Sequence, residues 1–224
     1  MKKSNQMSES LILAAVLTLS GGFMDAYSYI CRGQVFANAQ TGNILLFGVN
    51  LSTGNMFDAL CYLCPVLAFM AGIAVTEFVQ HLFKYNTKIH WRQIIVLAEA
   101  VILFGVAFFP QQLNLAANSL TSFACGAQVE GFRKVQGHVA ATTMCIGNLR
   151  TATQSICDHL FSNKSESFSK GILFYGIIGI FVCGAVIGNF AVGLFREKSI
   201  MISSALMIAA FWIMEFDKKS RSGQ

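Results

Sequence analysis

Six stretches of the chain are almost wholly apolar over lengths that suit a membrane crossing: 11–31, 56–83, 93–109, 113–132, 168–194 and 199–216. A helix rises about 1.5 Å per residue, so about 20 apolar residues cover the roughly 30 Å of hydrocarbon in a bilayer. The rest of the composition agrees. Charged residues make up 12% of the 224 residues and mean hydropathy is +0.57, too few charges to clothe a water-soluble domain of this size. A disordered or highly charged protein is excluded, and lipid is the expected solvent.

Two further stretches, 35–51 and 138–156, are of intermediate character. The first carries Asn38, Gln40, Thr41 and Asn43, and the second Thr142, Thr143, Asn148 and Arg150. Charge placement decides how to read them. If neither crosses fully and the N-terminus is cytoplasmic, then Lys2, Lys3, Lys84, Lys88, Arg92, Arg133, Lys134, Arg150, Lys164, Lys170, Lys218, Lys219 and Arg221 fall inside. Only Arg32, Arg196 and Lys198 fall outside. The reading is a multi-pass protein of the bacterial cytoplasmic membrane with six crossings and both termini cytoplasmic, in line with the positive-inside tendency. The net charge of +5 is then explained by topology, and no nucleic-acid partner is expected.

A shift of 105 residues lays Gly21 on Gly126, Asp25 on Glu130, Tyr27 on Phe132, and Gly42-Asn43 on Gly147-Asn148. Each half has three crossings and one interrupted stretch. Three is odd, so the second half must insert with opposite orientation, as in many secondary transporters. The expected fold is an all-α membrane domain spanning 1–224, made of two inverted three-helix repeats, about 10–110 and about 112–216. Breaks are expected at Thr41-Gly42-Asn43 and at Ile146-Gly147-Asn148. Backbone freed there must be covered by protein or face a polar cavity, because lipid offers it no hydrogen bonds.

Carboxyl groups at such depth are costly unless they face protein, water or a cation. Asp25 and Glu130 are therefore candidate coupling groups for protons or sodium. Ion pairing of Asp25 with Arg32, or of Glu130 with Arg133 or Lys134, is the plainer alternative. Glu77 and Glu99 are expected to snorkel or to find buried partners. The candidate solute site comprises Asp25, Asn38, Gln40, Thr41, Gly42 and Asn43 from one half with Thr142, Thr143, Gly147, Asn148 and Arg150 from the other. His138 and Arg150 flank the second break and suit an anion or a cytoplasmic edge.

The seven cysteines sit mostly inside apolar runs and read as small packing residues, so no metal or disulfide framework is expected. HExxH, GxSxG, GxxxxGK[ST] and GxGxxG are all missing from the sequence, and neither enzymatic activity nor a cofactor is expected. Gly184 and Gly188 make a GxxxG that suits internal packing or a homodimer. Pro65 should kink the second span.

The run Gly21-Gly22-Phe23-Met24-Asp25-Ala26-Tyr27, followed by Phe36-Ala37-Asn38-Ala39-Gln40-Thr41-Gly42-Asn43, resembles the opening motif of the YoaK-like family of bacterial membrane proteins. The likeness continues through Gly126-Ala127-Gln128, Arg133, Gly137 and Thr142-Thr143 to Gly147-Asn148. It implies a six-helix inner-membrane protein and brings no settled activity. Ile146 and Val129-Glu130 depart from the family pattern. The leading reading is a small-solute or ion transporter, with the lipid bilayer and a small polar or ionic solute as partners. The competing one is a non-transporting sensor, scaffold or assembly factor whose breaks serve packing. A channel is less favoured, since no ring of charges is evident.

Overall fold

A computed structural model describes residues 10–84, 90–140 and 142–222. Lys2, Lys3 and Lys88 of the charge argument lie outside the described residues. Eight helices account for most of the described chain: α1 (Leu11–Cys31), α2 (Gln40–Ser52), α3 (Met56–Phe83), α4 (Trp91–Val106), α5 (Asn114–Gly131), α6 (Cys145–Ser162), α7 (Ser165–Phe195) and α8 (Met201–Ser222). A small antiparallel hairpin, β1 (Lys134–Val135) and β2 (His138–Val139), precedes α6. Its turn residues Gln136 and Gly137 both have positive φ, 50° and 81°, the geometry that closes two-residue hairpins.

Among the described residues, three stretches are long and apolar enough to cross a membrane: Leu11–Cys31, Met56–Phe83 and Ser165–Phe216, the last running from α7 into α8. α4 has only 16 residues, and α5 carries Asn114, Asn118, Ser119, Thr121, Ser122 and Gln128 in its 18. Large apolar side chains are left outward on the long helices, Met70 and Phe78 on α3 and Val182 and Phe190 on α7 among them. Such a surface suits lipid.

The expected breaks are displaced. Thr41-Gly42-Asn43 and Ile146-Gly147-Asn148 lie in the first turns of the continuous helices α2 and α6. The non-helical backbone comes earlier, at 32–39, 132–140 and 142–144. Asn and Thr compete for backbone hydrogen bonds best just before and at the start of a helix, so the polar run marks the start of each helix. The 105-residue shift sets the first residue of α2 on the first residue of α6.

The most extensive contacts join α3 with α5 and α1 with α7, followed by α6 with α7, then α2 with α3 and α4 with α8. Glycines permit the two closest crossings. A Cβ on Gly22 would collide with the carbonyl of Phe181, and one on Gly184 with that of Leu19; Gly72 and Gly126 stand likewise against Phe123 and Phe69. The Gly184/Gly188 motif is thus occupied by α1 within the chain.

Helix directions follow from the same contacts. Leu19 meets Gly184 and Ala26 meets Gly188, so α1 and α7 run parallel. Gln128 reaches Leu17, Cys125 reaches Met24 and Asn118 reaches Arg32, so α5 runs against α1. Gln93 bonds to Glu215 and Ala100 to Ser204, so α8 runs against α4. One end of the bundle collects Arg32, Val106–Pro110, Asn114 and Glu197. The other collects Arg92, Gly131, Glu77 and Arg133.

Candidate functional site

The middle of α1 is where the two non-helical segments arrive. Asp25 accepts a hydrogen bond from the Asn38 backbone N–H at 2.7 Å, and the N–H groups of Ala37 and Ala39 also address its carboxylate. Three donors just ahead of α2 thus converge on one acid. That satisfies backbone with no helical partner and places negative charge at the positive end of a helix. Arg32 is not the partner of Asp25. It is buried and donates to Tyr27 Oη, to the carbonyls of Val106, Phe109 and Pro110, and to Asn114 Oδ1.

Asn38 is 2% exposed. Its Nδ2 donates to Gly21 O at 3.0 Å, which turns Oδ1 away from that carbonyl and leaves it without a partner among the described residues. Gln40 donates to Ala37 O at 2.7 Å and approaches Ser122 Oγ at 3.5 Å. Asn43 accepts from Phe36 N–H, donates to Phe36 O and to Gln40 Oε1, and so clamps the segment ahead of α2 shut. Gly42 faces the Phe36 ring, and Thr41 is exposed.

From the second half, Thr143 packs on Gly21 of α1, its Cγ2 3.0 Å from where a Cβ would stand. Cys145, the first residue of α6, lies within electrostatic reach of Asp25. Thr142 and Thr143 are buried and their hydroxyls have no partner among the described residues. Asn148 is buried and donates to Met144 O at 2.9 Å. Gly147 and Arg150 are exposed on α6, Gly147 in open space. Asp25, Asn38, Gln40 and Asn43 therefore gather at one level with Thr143, while Thr41, Gly147 and Arg150 point elsewhere. His138 stands against the Phe174 ring.

Glu130 does not mirror Asp25. It pairs with Arg133 at 3.0 Å, and Arg133 lies 3.9 Å from Glu77, the plainer alternative for that acid. Four polar groups that the sequence reading left out line the seam between α1 and α5. Gln128 donates to Leu17 O and Asn118 to Arg32 O, each leaving its amide oxygen unpartnered among the described residues. Cys125 stacks its sulfur 3.8 Å from that of Met24. Ser122 lies a turn before it, beside Gln40. Their signal was the 118, 122, 125, 128 spacing along one face of α5. Above Asn118, a cavity of about 350 Å³ opens at the Arg32 end, lined also by Asn50, Asp58, Tyr62 and Asn114.

A family model described as "Protein of unknown function (DUF1275)" matches residues 13–213. The chain belongs to this family. It is also 26% identical to "UPF0700 transmembrane protein YoaK" of Bacillus subtilis (strain 168), over 95% of this chain and 96% of that one. No solved structure matches. The resemblance carried by the Gly21–Tyr27 and Phe36–Asn43 runs is thereby borne out, and this DUF1275 chain is a membrane protein of an uncharacterised family.

Proposed function

We propose that this DUF1275 protein is a transporter of a small polar solute, with six crossings arranged as two oppositely inserted halves, 10–110 and 112–216, and with no enzymatic step. The observation that carries the reading is that α2 and α6 begin at the same level of α1 and leave it toward opposite ends of the bundle. α2 begins beside Asp25 and ends near the cavity at the Arg32 end. α6 begins beside Asp25 and Gly21 and ends at the turn into α7, which runs parallel to α1. Thirteen residues give α2 a length of about 20 Å, short of a crossing. Half-helices whose N-termini meet at mid-depth are the usual solute site of inverted-repeat transporters.

Several facts support the inverted halves. Exchanging the halves turns the α1–α7 contact into α5–α3, α2–α3 into α6–α7, and leaves α4–α8 paired with itself. The opposed directions of α1 and α5, and of α4 and α8, fit a two-fold axis in the membrane plane. Crowding of Arg92 and Arg133 at the end where α1 begins supports a cytoplasmic face there, in the bacterial cytoplasmic membrane, with both termini on that side.

The electrostatics favour an uncharged solute rich in hydrogen-bond donors. Each helix N-terminus carries roughly half a positive charge, and an ionised Asp25 balances the pair. The unpartnered oxygens of Asn38, Thr142 and Thr143 accept from such a solute. The test is a thermal-shift screen of purified protein against a metabolite and ion library, since a ligand of the native state raises stability by mass action. A hit is then followed by uptake into proteoliposomes, where Asn38→Leu and Thr143→Val should each reduce flux. A library without hits, together with no flux under proton or sodium gradients, would refute transport. One observation favours a second reading, a sensor, scaffold or assembly factor. Asn43 spends its whole side chain holding the 36–43 segment together, as a purely packed break would require.

A further inference from the structure

Of the acids Asp25 in α1, Glu99 in α4 and Glu130 in α5, two are engaged. Asp25 is held by three backbone N–H groups and Glu130 by Arg133. Glu99 is different. It lies midway along α4, 1% exposed, on the face that carries Val96, Ala100 and Leu103 into the main apolar cluster. Neither carboxyl oxygen has a hydrogen-bond partner among the described residues, and no described cation pairs with it.

An isolated carboxylate in such surroundings is among the costliest things a protein can bury, and the group avoids that cost by binding a proton. The neighbours offer no other remedy. From α5 the Cys125 thiol lies within electrostatic reach of both Glu99 and Asp25 and within hydrogen-bond reach of the Asn38 side chain. On α8, Glu215 bonds to Gln93, nearly two turns from Glu99, and Ser204 gives its hydroxyl to Ala100 O. On α3, Glu77 lies with Arg133. The charged residues of the 196–200 turn lie at the far end with Arg32 and Gln111.

We propose that Glu99 is the proton-binding group of this membrane domain, protonated in the packed structure and deprotonated when the α4–α5 contact admits water. On release the O–H bond breaks, its electron pair stays on the carboxylate oxygen and the proton passes to water; recapture reverses this. Coupling of that proton to solute movement rests on the transporter reading, whereas the proton occupancy of Glu99 does not. Glu99 thereby replaces Asp25 and Glu130 as the coupling group, because those two acids already have partners.

The test is infrared difference spectroscopy on the purified full chain, reading the C=O stretch of a protonated carboxylic acid. Wild type should show this band at neutral pH. Glu99→Gln should lose it and Asp25→Asn should keep it. Gln has the shape of the neutral acid, so the variant should melt close to wild type, and a second variant, Glu99→Asp, should retain a band at a shifted frequency. A wild-type spectrum without the band, or a Glu99→Gln spectrum that keeps it, overturns the proposal. Stabilisation by sodium chloride but not by potassium chloride, lost in Glu99→Gln, also overturns it, since a metal cation would then fill the site. A band without flux in proteoliposomes removes the transporter reading and leaves the proton site standing. Flux without a band does the reverse.

Discussion

Replacing Arg32 by Met should unlock the end of the bundle where α1, α4 and α5 meet. The guanidinium donates to Tyr27 Oη at 2.7 Å, Phe109 O at 2.9 Å, Val106 O and Asn114 Oδ1 at 3.1 Å, and Pro110 O at 3.4 Å. It also lies over the Tyr27 ring at 5.5 Å. Each hydrogen bond to a charged group is worth about 1.5–3 kcal/mol, and four of these are short enough to count. Met keeps much of the packed stem and returns the cost of burying the charge, so the net loss falls to about 3–5 kcal/mol, the usual result of breaking a buried charged network. Tyr27 Oη passes the network on to Glu197 O at 3.2 Å; Tyr27→Phe alone should cost about 1 kcal/mol. In the double variant the second loss should shrink, because the two side chains share one bond. Reversible unfolding in mixed micelles, followed by tryptophan fluorescence, reads both. An Arg32→Met loss under about 1 kcal/mol, or full additivity with Tyr27→Phe, would refute the argument that this buried cation ties the three helix ends together.

Gly184→Ala drives a Cβ into the Leu19 carbonyl and should cost about 1–3 kcal/mol, whereas Gly193→Ala, with nothing within 4 Å, should be neutral in the same unfolding assay. Asn43→Ala leaves the Phe36 N–H and C=O without their side-chain partner, so a loss of about 1–3 kcal/mol is expected; a drop in melting temperature no larger than that of Asn50→Ala would count against the clamp. Gln111 donates to the Glu197 carboxylate and holds its pKa below the usual range. A lowered folded pKa means stability present above the unfolded value and lost as pH falls through the folded one, so wild type should lose melting temperature on acidification more steeply than Glu197→Gln. With exposed native cysteines removed, Gln112→Cys should react with an impermeant maleimide on intact spheroplasts and Asn163→Cys only after permeabilisation; equal reaction of both would end the six-crossing topology.

How far the sequence could be read depended on the physical range of each interaction. The 11–31 and 56–83 stretches became α1 and α3 with their bounds intact, because twenty or more apolar residues leave a helix few alternatives in lipid. The polar runs at 38–43 and 142–148 marked the right places, yet the helices begin at them, because Asn43 and Asn148 bond backward to Phe36 and Met144. The β1–β2 hairpin escaped notice since it needs only the turn Gln136-Gly137, which lies just ahead of the 138–156 stretch, and that stretch claims His138 and Val139 of β2. Arg32 looked like an outside charge; nothing local to it announces the carbonyls at 106–110, which come from 74–78 residues away. Glu99 was visible as an acid in an apolar span, but that it lacks a partner among the described residues is a property of the helices packed around it.

The exchange of helices between halves has a mechanical consequence. α1 packs on α7, and α7 on α6; α5 packs on α3, and α3 on α2. The two tightly joined groups are therefore α1/α6/α7 and α2/α3/α5, each drawn from both halves, with the pair α4/α8 laid across them. Their glycine crossings set backbone against backbone, a contact with little room to slide. Between the groups the direct α1–α5 contact is small and is made by the amides of Gln128 and Asn118 and by the Cys125–Met24 sulfur pair. Asn38 rides with one group and reaches Gly21 on the other, while Thr143 adjoins the same glycine. On the proposed transporter reading, a motion that opens the centre parts these two groups, not the sequence halves, and breaks the Asp25–Asn38, Asn38–Gly21 and Gln128–Leu17 bonds. A cross-link between α1 and α7 should leave such a motion free; one between α1 and α5 should stop it.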